Sequence, residues 1–308
     1  MALSAPLLKR KRVLQVKIET TKGTLVAADT DALVYDLTMD PEDPFVERKL
    51  SGKVLGHTSP GVLEGTAAGS CKFKMELRGD GSQGMDPALA IMLQACGQEK
   101  TLEVYTPTSV HATQKTISLA SYEDGVKKQL AGAMGTFKLA PDGGRLVFDF
   151  EFSGVWQAPI DAALPTVAYS VLKPLPWGAA SNAFSLDSES IKISTFEFDV
   201  GNEVVPRMDN GRISYYAITD RDPTMTLDPE TDKIAGYDLY GKWLAGTEVA
   251  ISLAVTDGTD TMTLAGSKFQ YREAKEGDRE KFAIDDVTGQ FNIVTINTGD
   301  DEYSMTIS

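Results

Sequence analysis

The chain has 308 residues but only two cysteines, Cys71 and Cys96, and two histidines, His57 and His111. Two cysteines exclude a disulfide framework and any four-cysteine zinc site. Two histidines leave little for histidine catalysis or a multi-histidine metal centre. Basic residues are outnumbered, 30 Lys and Arg against 44 Asp and Glu, for a formal net charge of −14. That balance excludes a general nucleic-acid binder, which would carry a basic face and a high isoelectric point. No apolar run reaches the roughly 18 residues of a membrane-spanning helix. The opening, MALSAPLLKRKRVL, puts its basic cluster after the apolar residues. This is the reverse of a secretory leader, and it predicts a protein made and used in a reducing cytoplasm or in an assembly built there.

What remains is an ordinary globular composition, 42% hydrophobic and 24% charged. Such a chain can bury a core, and its length suits two domains of roughly 100–200 residues each. The charge is uneven. Residues 1–30 carry six basic and two acidic side chains, residues 31–186 carry 13 and 18, and residues 187–308 carry 11 and 24. A basic N-terminal arm on an acidic body suits docking to an acidic neighbour, including a second copy of the chain, or else a solvated tail.

Short alternating runs bounded by Gly, Pro, Asp or Asn predict strands. They fall at 34–39, 72–77, 102–105, 116–121 and 146–152, then at 191–200, 213–218, 224–227, 249–255 and 268–271. A helix is predicted at Asp86–Cys96, with Asp86 as N-cap, Pro87 in the first helical position and Gly97 closing it. Tyr237–Ala245, closed by Gly246, is a shorter second case. The proline-bearing stretch from Gln157 to Ala180 predicts a surface linker.

The two halves repeat. Ile117–Ala120 (ISLA) recurs as Ile251–Ala254, and Leu130–Gly132 (LAG) recurs as Leu264–Gly266, both at an offset of 134. Between them lies Asp124-Gly125 in one copy and Asp257-Gly258 in the other, a strong hairpin signal. A phenylalanine, a polar turn and another strand follow in each. The expected organisation is an N-terminal arm at 1–30, a first domain at 31–156, a linker at 157–186 and a second domain at 187–308. The copies differ mainly in the loop after the first strand. It runs from Pro41 to Gly65 in the first and is shorter, around Val204–Arg212, in the second. Long unstructured loops in compact domains are usually functional or disordered.

No catalytic constellation stands out. GxSxG, HExxH, a phosphate-binding glycine loop and GxGxxG are all missing. Asp228–Asp232 begins like a calcium loop, but Lys233 and Leu239 occupy the positions that need Gly and Glu. His57 and His111 sit in polar loop contexts. Cys71 and Cys96 are expected to be buried structural thiols, and Trp156, Trp177 and Trp243 core or interface residues. No metal, cofactor or enzymatic activity is expected.

The segment Lys17–Thr24 (KIETTKGT) with Asp31–Leu33, the helix Ala88–Gly97 ending LQACG, and Asp124–Gly132 resemble the tail tube (major tail) proteins of long-tailed bacteriophages. Lys22 stands where that family would have an aromatic. The resemblance implies a mainly β fold: two tandem tube-type β-sandwich domains, each with a short flanking helix, closing into a β-barrel ring on oligomerisation. A family ring of six tube domains implies a homotrimer of this two-domain chain. Stacked rings would form a virion tube, assembled in the host cytoplasm. Terminator and distal tail proteins would sit at its ends, with tape measure protein or genomic DNA in its lumen held without specific binding. Acidic residues facing the lumen would keep DNA from adhering, because phosphate binding needs Lys and Arg. The expected subunit and ring contacts are Lys9, Arg10, Lys11 and Arg12 in the arm, and Phe45, Val46, Leu50, Val54 and Leu55 in the long loop. The alternatives are another tail ring protein (terminator, baseplate or inner-tube component) or a two-domain β-sandwich binding protein.

Overall fold

The computed structural model describes residues 7–42, 45–46, 62–63, 66–169 and 172–308. The fold is mainly β with two short helices, as expected. The first half contains β1 (Arg12–Ile18), β2 (Thr30–Ala32), β3 (Tyr35–Pro41), β4 (Phe45–Val46), β5 (Val62–Leu63) and β6 (Ala68–Glu76). Helix α1 (Pro87–Ala95) follows, then β7 (Gln98–Thr101), β8 (Val104–Pro107), β9 (Ile117–Glu123), β10 (Val126–Asp142) and β11 (Arg145–Asp161). The second half contains β12 (Ala183–Leu186), β13 (Glu189–Ser190), β14 (Phe196–Asp199), β15 (Asn202–Asp209), β16 (Arg212–Arg221) and β17 (Thr224–Leu227). Helix α2 (Leu239–Ala245) follows, then β18 (Glu248–Thr256), β19 (Thr261–Arg279), β20 (Phe282–Phe291) and β21 (Ser304–Ile307).

The local chemistry explains the elements. Asp86 caps α1 by accepting from the N–H groups of Ala88 and Leu89, and Gly97 closes it at φ 76°. Gly246 ends α2 in the left-handed region at φ 64°. Asp124 and Gly125 make the two-residue β9–β10 turn with φ of 39° and 114°. That is the pair of positive values such hairpins require.

Strand order repeats between the halves. In the first, hydrogen bonding runs β2–β1–β9–β10–β11–β6–β3; in the second, β13–β12–β18–β19–β20–β17–β14. Register repeats as well. Leu119 faces Leu130 in the first half, and Leu253 faces Leu264 in the second. β21 occupies, beside the start of β19, the place that the end of β11 takes beside β10. Two strand pairings cross between the halves, β10 with β14 and β8 with β21. The pairings do not return on themselves, so no closed barrel forms within the chain among the described residues.

The core is continuous across both halves. Phe137 touches Phe148 and Phe150 on its own side and Phe198 of the second half, with a ring separation of 6.1 Å to the last. Cys71 and Cys96 are free and buried, and burial pushes both thiols up in pKa.

Three stretches differ from expectation. Residues 12–18 are not part of an arm: they form β1, an interior strand paired with β9 over its whole length and with β2. The KRKR cluster masks the alternation that follows it, in which Leu14 and Val16 are buried. The 157–186 linker is trimmed at both ends, since β11 runs on to Asp161 and β12 starts at Ala183. Its middle is anchored too: Leu175 is fully buried and donates its N–H to the Leu77 carbonyl. The shorter loop of the second half is a 20-residue β15–β16 hairpin from Asn202 to Arg221.

Candidate assembly surfaces

One register row runs across nine strands. Tyr35 of β3 faces Lys74 of β6, which faces Asp149 of β11, which faces Lys138 of β10. Lys138 then faces Asp199 of β14, followed by Thr224 of β17, Gln290 of β20, Gln270 of β19 and Glu248 of β18. These side chains share one face because strand residues alternate between faces. The opposite face carries Phe73, Phe137, Phe150 and Phe198, all buried. The sheet is therefore greasy on its inner side and polar on the other; β3 forms one end, and at the other, beyond Gln270, residues 271–279 of β19 pair with β20 alone among the described residues.

The polar face is not simply acidic. Lys72 pairs with Glu151 at 2.6 Å, and Lys138 with Glu197 at 2.9 Å and Asp199 at 3.1 Å. Hydrogen bonds to Glu197 and Asp199 raise the Lys138 pKa, so the amine stays charged. Lys72 and Lys138 on this face are thus paired with carboxylates. Periodicity cannot show this, because a lysine and its partner come from strands about 60 or more residues apart in sequence.

A second surface lies inside the chain, where the halves meet. The β15–β16 hairpin of the second half lies over the first. Tyr215 accepts from or donates to His111 Nε2 at 2.9 Å, and Thr66 exchanges hydrogen bonds with the Ile213 backbone at 2.7 and 3.3 Å. Arg221 reaches Asp300 at 2.6 Å, Glu302 at 2.8 Å and the Ser109 hydroxyl at 3.3 Å. Burial opposes the Arg221 charge, but the hydrogen bonds to Asp300 and Glu302 keep its pKa raised. Asp260, 2% exposed, seats the β18–β19 turn against the loop between β6 and α1, accepting from Gly81 N–H at 3.1 Å and Gln83 N–H at 2.9 Å. A Cβ at Gly79 would collide with that carboxylate, which explains the glycine. None of these contacts has a local sequence signature, since the partners lie far apart along the chain.

The expected contact residues are distributed as follows. Lys9, Arg10 and Lys11 lie at the surface beside the β9–β10 turn, where Asp124 accepts from Leu8 N–H at 2.9 Å and pairs with Lys11 at 3.4 Å. Arg12 is instead half-buried at the start of β1, pairing with Glu123 at 3.2 Å and donating to the Leu37 carbonyl. Phe45 is exposed and pairs through its backbone with Leu63, as Val46 does with Val62. Leu50, Val54, Leu55 and His57 lie outside the described residues. Asp220, Asp222 and Asp228 do not form a carboxylate cluster: Asp228 accepts from Ser194 and Thr195 N–H and pairs with Arg279. Among the described residues no group of three or more His, Cys, Asp or Glu could hold a metal ion.

A family model described as phage tail tube protein matches residues 9–301. The chain belongs to the phage tail tube protein family. A search of curated proteins finds no match. Membership of the tube family makes the chain a virion structural protein that assembles with itself.

Proposed function

We propose that this chain is the tail tube subunit of a long-tailed phage, and that its rings stack into the conduit for genome DNA during ejection. It carries two tube domains, 31–156 with β1 added, and 187–308, joined by the stretch between them. Three chains then close a pseudo-sixfold ring. The observation that carries this is the Tyr35-to-Glu248 row: one sheet, drawn from both halves, in which β3 at one end and residues 271–279 of β19 at the other each pair with a single strand among the described residues. Inside the chain the joint is made by β10 and β14, which hold equivalent places to β19 and β3. The same joint made between chains sets β19 of one copy beside β3 of the next. Open edges invite such pairing, and closure removes them.

Fusion of two domains makes every second joint intramolecular, so less translational entropy is lost on ring closure. The polar face becomes the lumen wall. Lysines already matched to carboxylates offer DNA phosphates little neutralisation, so the duplex slides. Lys9–Arg12 contribute contacts between subunits, as do Phe45, Val46, Leu50, Val54 and Leu55 in the long loop. Terminator and distal tail proteins cap the tube ends. Native mass spectrometry of single rings tests the reading: three chains of 33.3 kDa are expected. Six chains would leave the second half as an outward decoration and overturn it.

A further inference from the structure

The internal contact between the halves has an unoccupied counterpart. In the first half, the loop from Arg78 to Met85, between β6 and α1, is filled by the β18–β19 turn through Asp260. In the second half, the equivalent loop runs between β17 and α2. Beside it lies an open cleft of about 240 Å³ whose lining includes Lys192, Glu230, Thr231, Asp232 and Asp285. The turn equivalent to β18–β19 is β9–β10, and it does not reach this cleft within its own chain: its Asp124 is engaged with Leu8 and Lys11 instead.

We infer that the β9–β10 turn of a second copy seats on this cleft, bringing the basic residues around Asp124 against Glu230 and Asp232. This rests on the ring proposed above, and it adds a second contact to the β19–β3 joint. Two observations carry it. The repeated strand order and register place the β9–β10 turn toward the neighbouring half just as β18–β19 is placed within the chain. The charges also match. The β9–β10 corner gathers Lys9, Arg10, Lys11 and Lys127, with Asp124 holding Lys11 and the Leu8 backbone to the tip and Lys128 paired with Glu123; in the cleft, Asp232 and Asp285 stand beside Glu230, which pairs with Arg279. Within the chain the contact is a carboxylate in a ring of backbone N–H groups. Between chains it becomes a cationic corner on a carboxylate-lined cleft. That difference lets the two kinds of joint be told apart during assembly, because each turn has only one matching loop.

The test is a cross-link in assembled particles. Lys127→Cys and Asp232→Cys are combined in one chain, and rings or tubes are treated with a short bismaleimide; both native thiols are buried. Denaturing gels should show products of two and three chains in place of the single chain, while either single variant stays at one. Assembled particles that give no chain-to-chain product overturn the docking and leave the ring intact. If wild-type protein forms no ring or tube, the ring proposal falls and the docking with it. Should the double variant fail to assemble, carbodiimide treatment of wild-type particles decides. Linkage of Lys9, Lys11 or Lys127 to Glu230 or Asp232 of another copy supports the contact, and exclusive linkage elsewhere overturns it.

Discussion

The Glu19 carboxylate accepts the backbone N–H of Gly132 at 2.7 Å. The same side chain accepts from the hydroxyls of Thr116 at 2.7 Å and Ser118 at 2.8 Å, and from Gly23 N–H at 2.8 Å. Glu19 is 6% exposed, and these four donors are what make its burial tolerable. They also tie together three stretches that the sequence shows separately: the KIETTKGT segment, the ISLA strand and the LAG bulge. Gly132 has φ 58°, and a Cβ there would come within 2.8 Å of Tyr215 Cβ, so the hub lies directly beneath the β15–β16 hairpin.

Removing this acceptor strands buried donors. Glu19→Ala is expected to cost about 2–4 kcal/mol, the desolvation penalty of a few unpaired groups. Glu19→Gln should cost less, because one oxygen remains to accept. Urea unfolding followed by circular dichroism checks both. A loss below about 1 kcal/mol for the alanine variant would show that the donors find other partners.

The N-terminus should divide sharply by function. Deleting residues 1–10 leaves β1 whole, so the chain should stay folded, with a native circular dichroism spectrum, while assembling poorly and worse as salt rises. Deleting residues 1–18 removes an interior strand and uncovers the edges of β2 and β9. That variant should aggregate. Normal assembly of the shorter deletion would remove the arm from the set of contacts.

Across the internal joint, packing should outweigh charge. Phe198 meets Phe137, Phe291 and Tyr303, and Phe198→Ala is expected to destabilise by about 3–5 kcal/mol. Lys138→Ala removes two exposed ion pairs, whose worth in water is screened to about 0–1 kcal/mol. The pairing of Lys138 should instead be read by DNA. Tubes built from Glu197→Gln with Asp199→Asn leave Lys138 unmatched, and should retain double-stranded DNA fragments at low salt that wild-type tubes release.

Acid should loosen the contact between the halves. Burial alone would raise the Asp300 pKa, but hydrogen bonds from Ser109 and the Arg221 charge hold it below the ordinary carboxylate range. A depressed folded-state pKa contributes stability above the unfolded value near 4, and this is lost as pH falls through the folded value. Stability should therefore drop as pH falls below the unfolded value, through the lowered folded one. Asp300→Asn should flatten that part of the profile. An unchanged acid limb in the variant would assign the loss to other carboxylates.

Local chemistry made part of this fold legible. Asp86-Pro87 and Gly97 mark α1, the Asp-Gly turns mark the hairpins, and the ISLA and LAG repeats give the pairing of β9 with β10 and of β18 with β19. Strand β1 was hidden because the basic cluster before it resembles a solvated tail. Of the β15–β16 hairpin only 213–218 in β16 was legible; β15 was hidden because the strands are half-exposed and irregular, with two register shifts. The assembly surfaces were least legible. Asp260 and Gly81 are 179 residues apart, and Arg221 and Asp300 are 79 apart, so only the folded chain brings them together.

From Lys74 the row is charged, alternating Lys and Asp as far as Asp199, then neutral through threonine and glutamine as far as Gln270, and Glu248 closes it. In a ring of three chains, a polyanion passing along the axis would meet charged sectors separated by sectors of hydroxyls and amides. The potential around the wall would rise and fall three times per turn, with each sector close to neutral overall. Such corrugation decays within a Debye length, about 8 Å at physiological salt. A duplex at the centre of the channel would feel a nearly flat potential, and only one that strayed to the wall would sense the ripple.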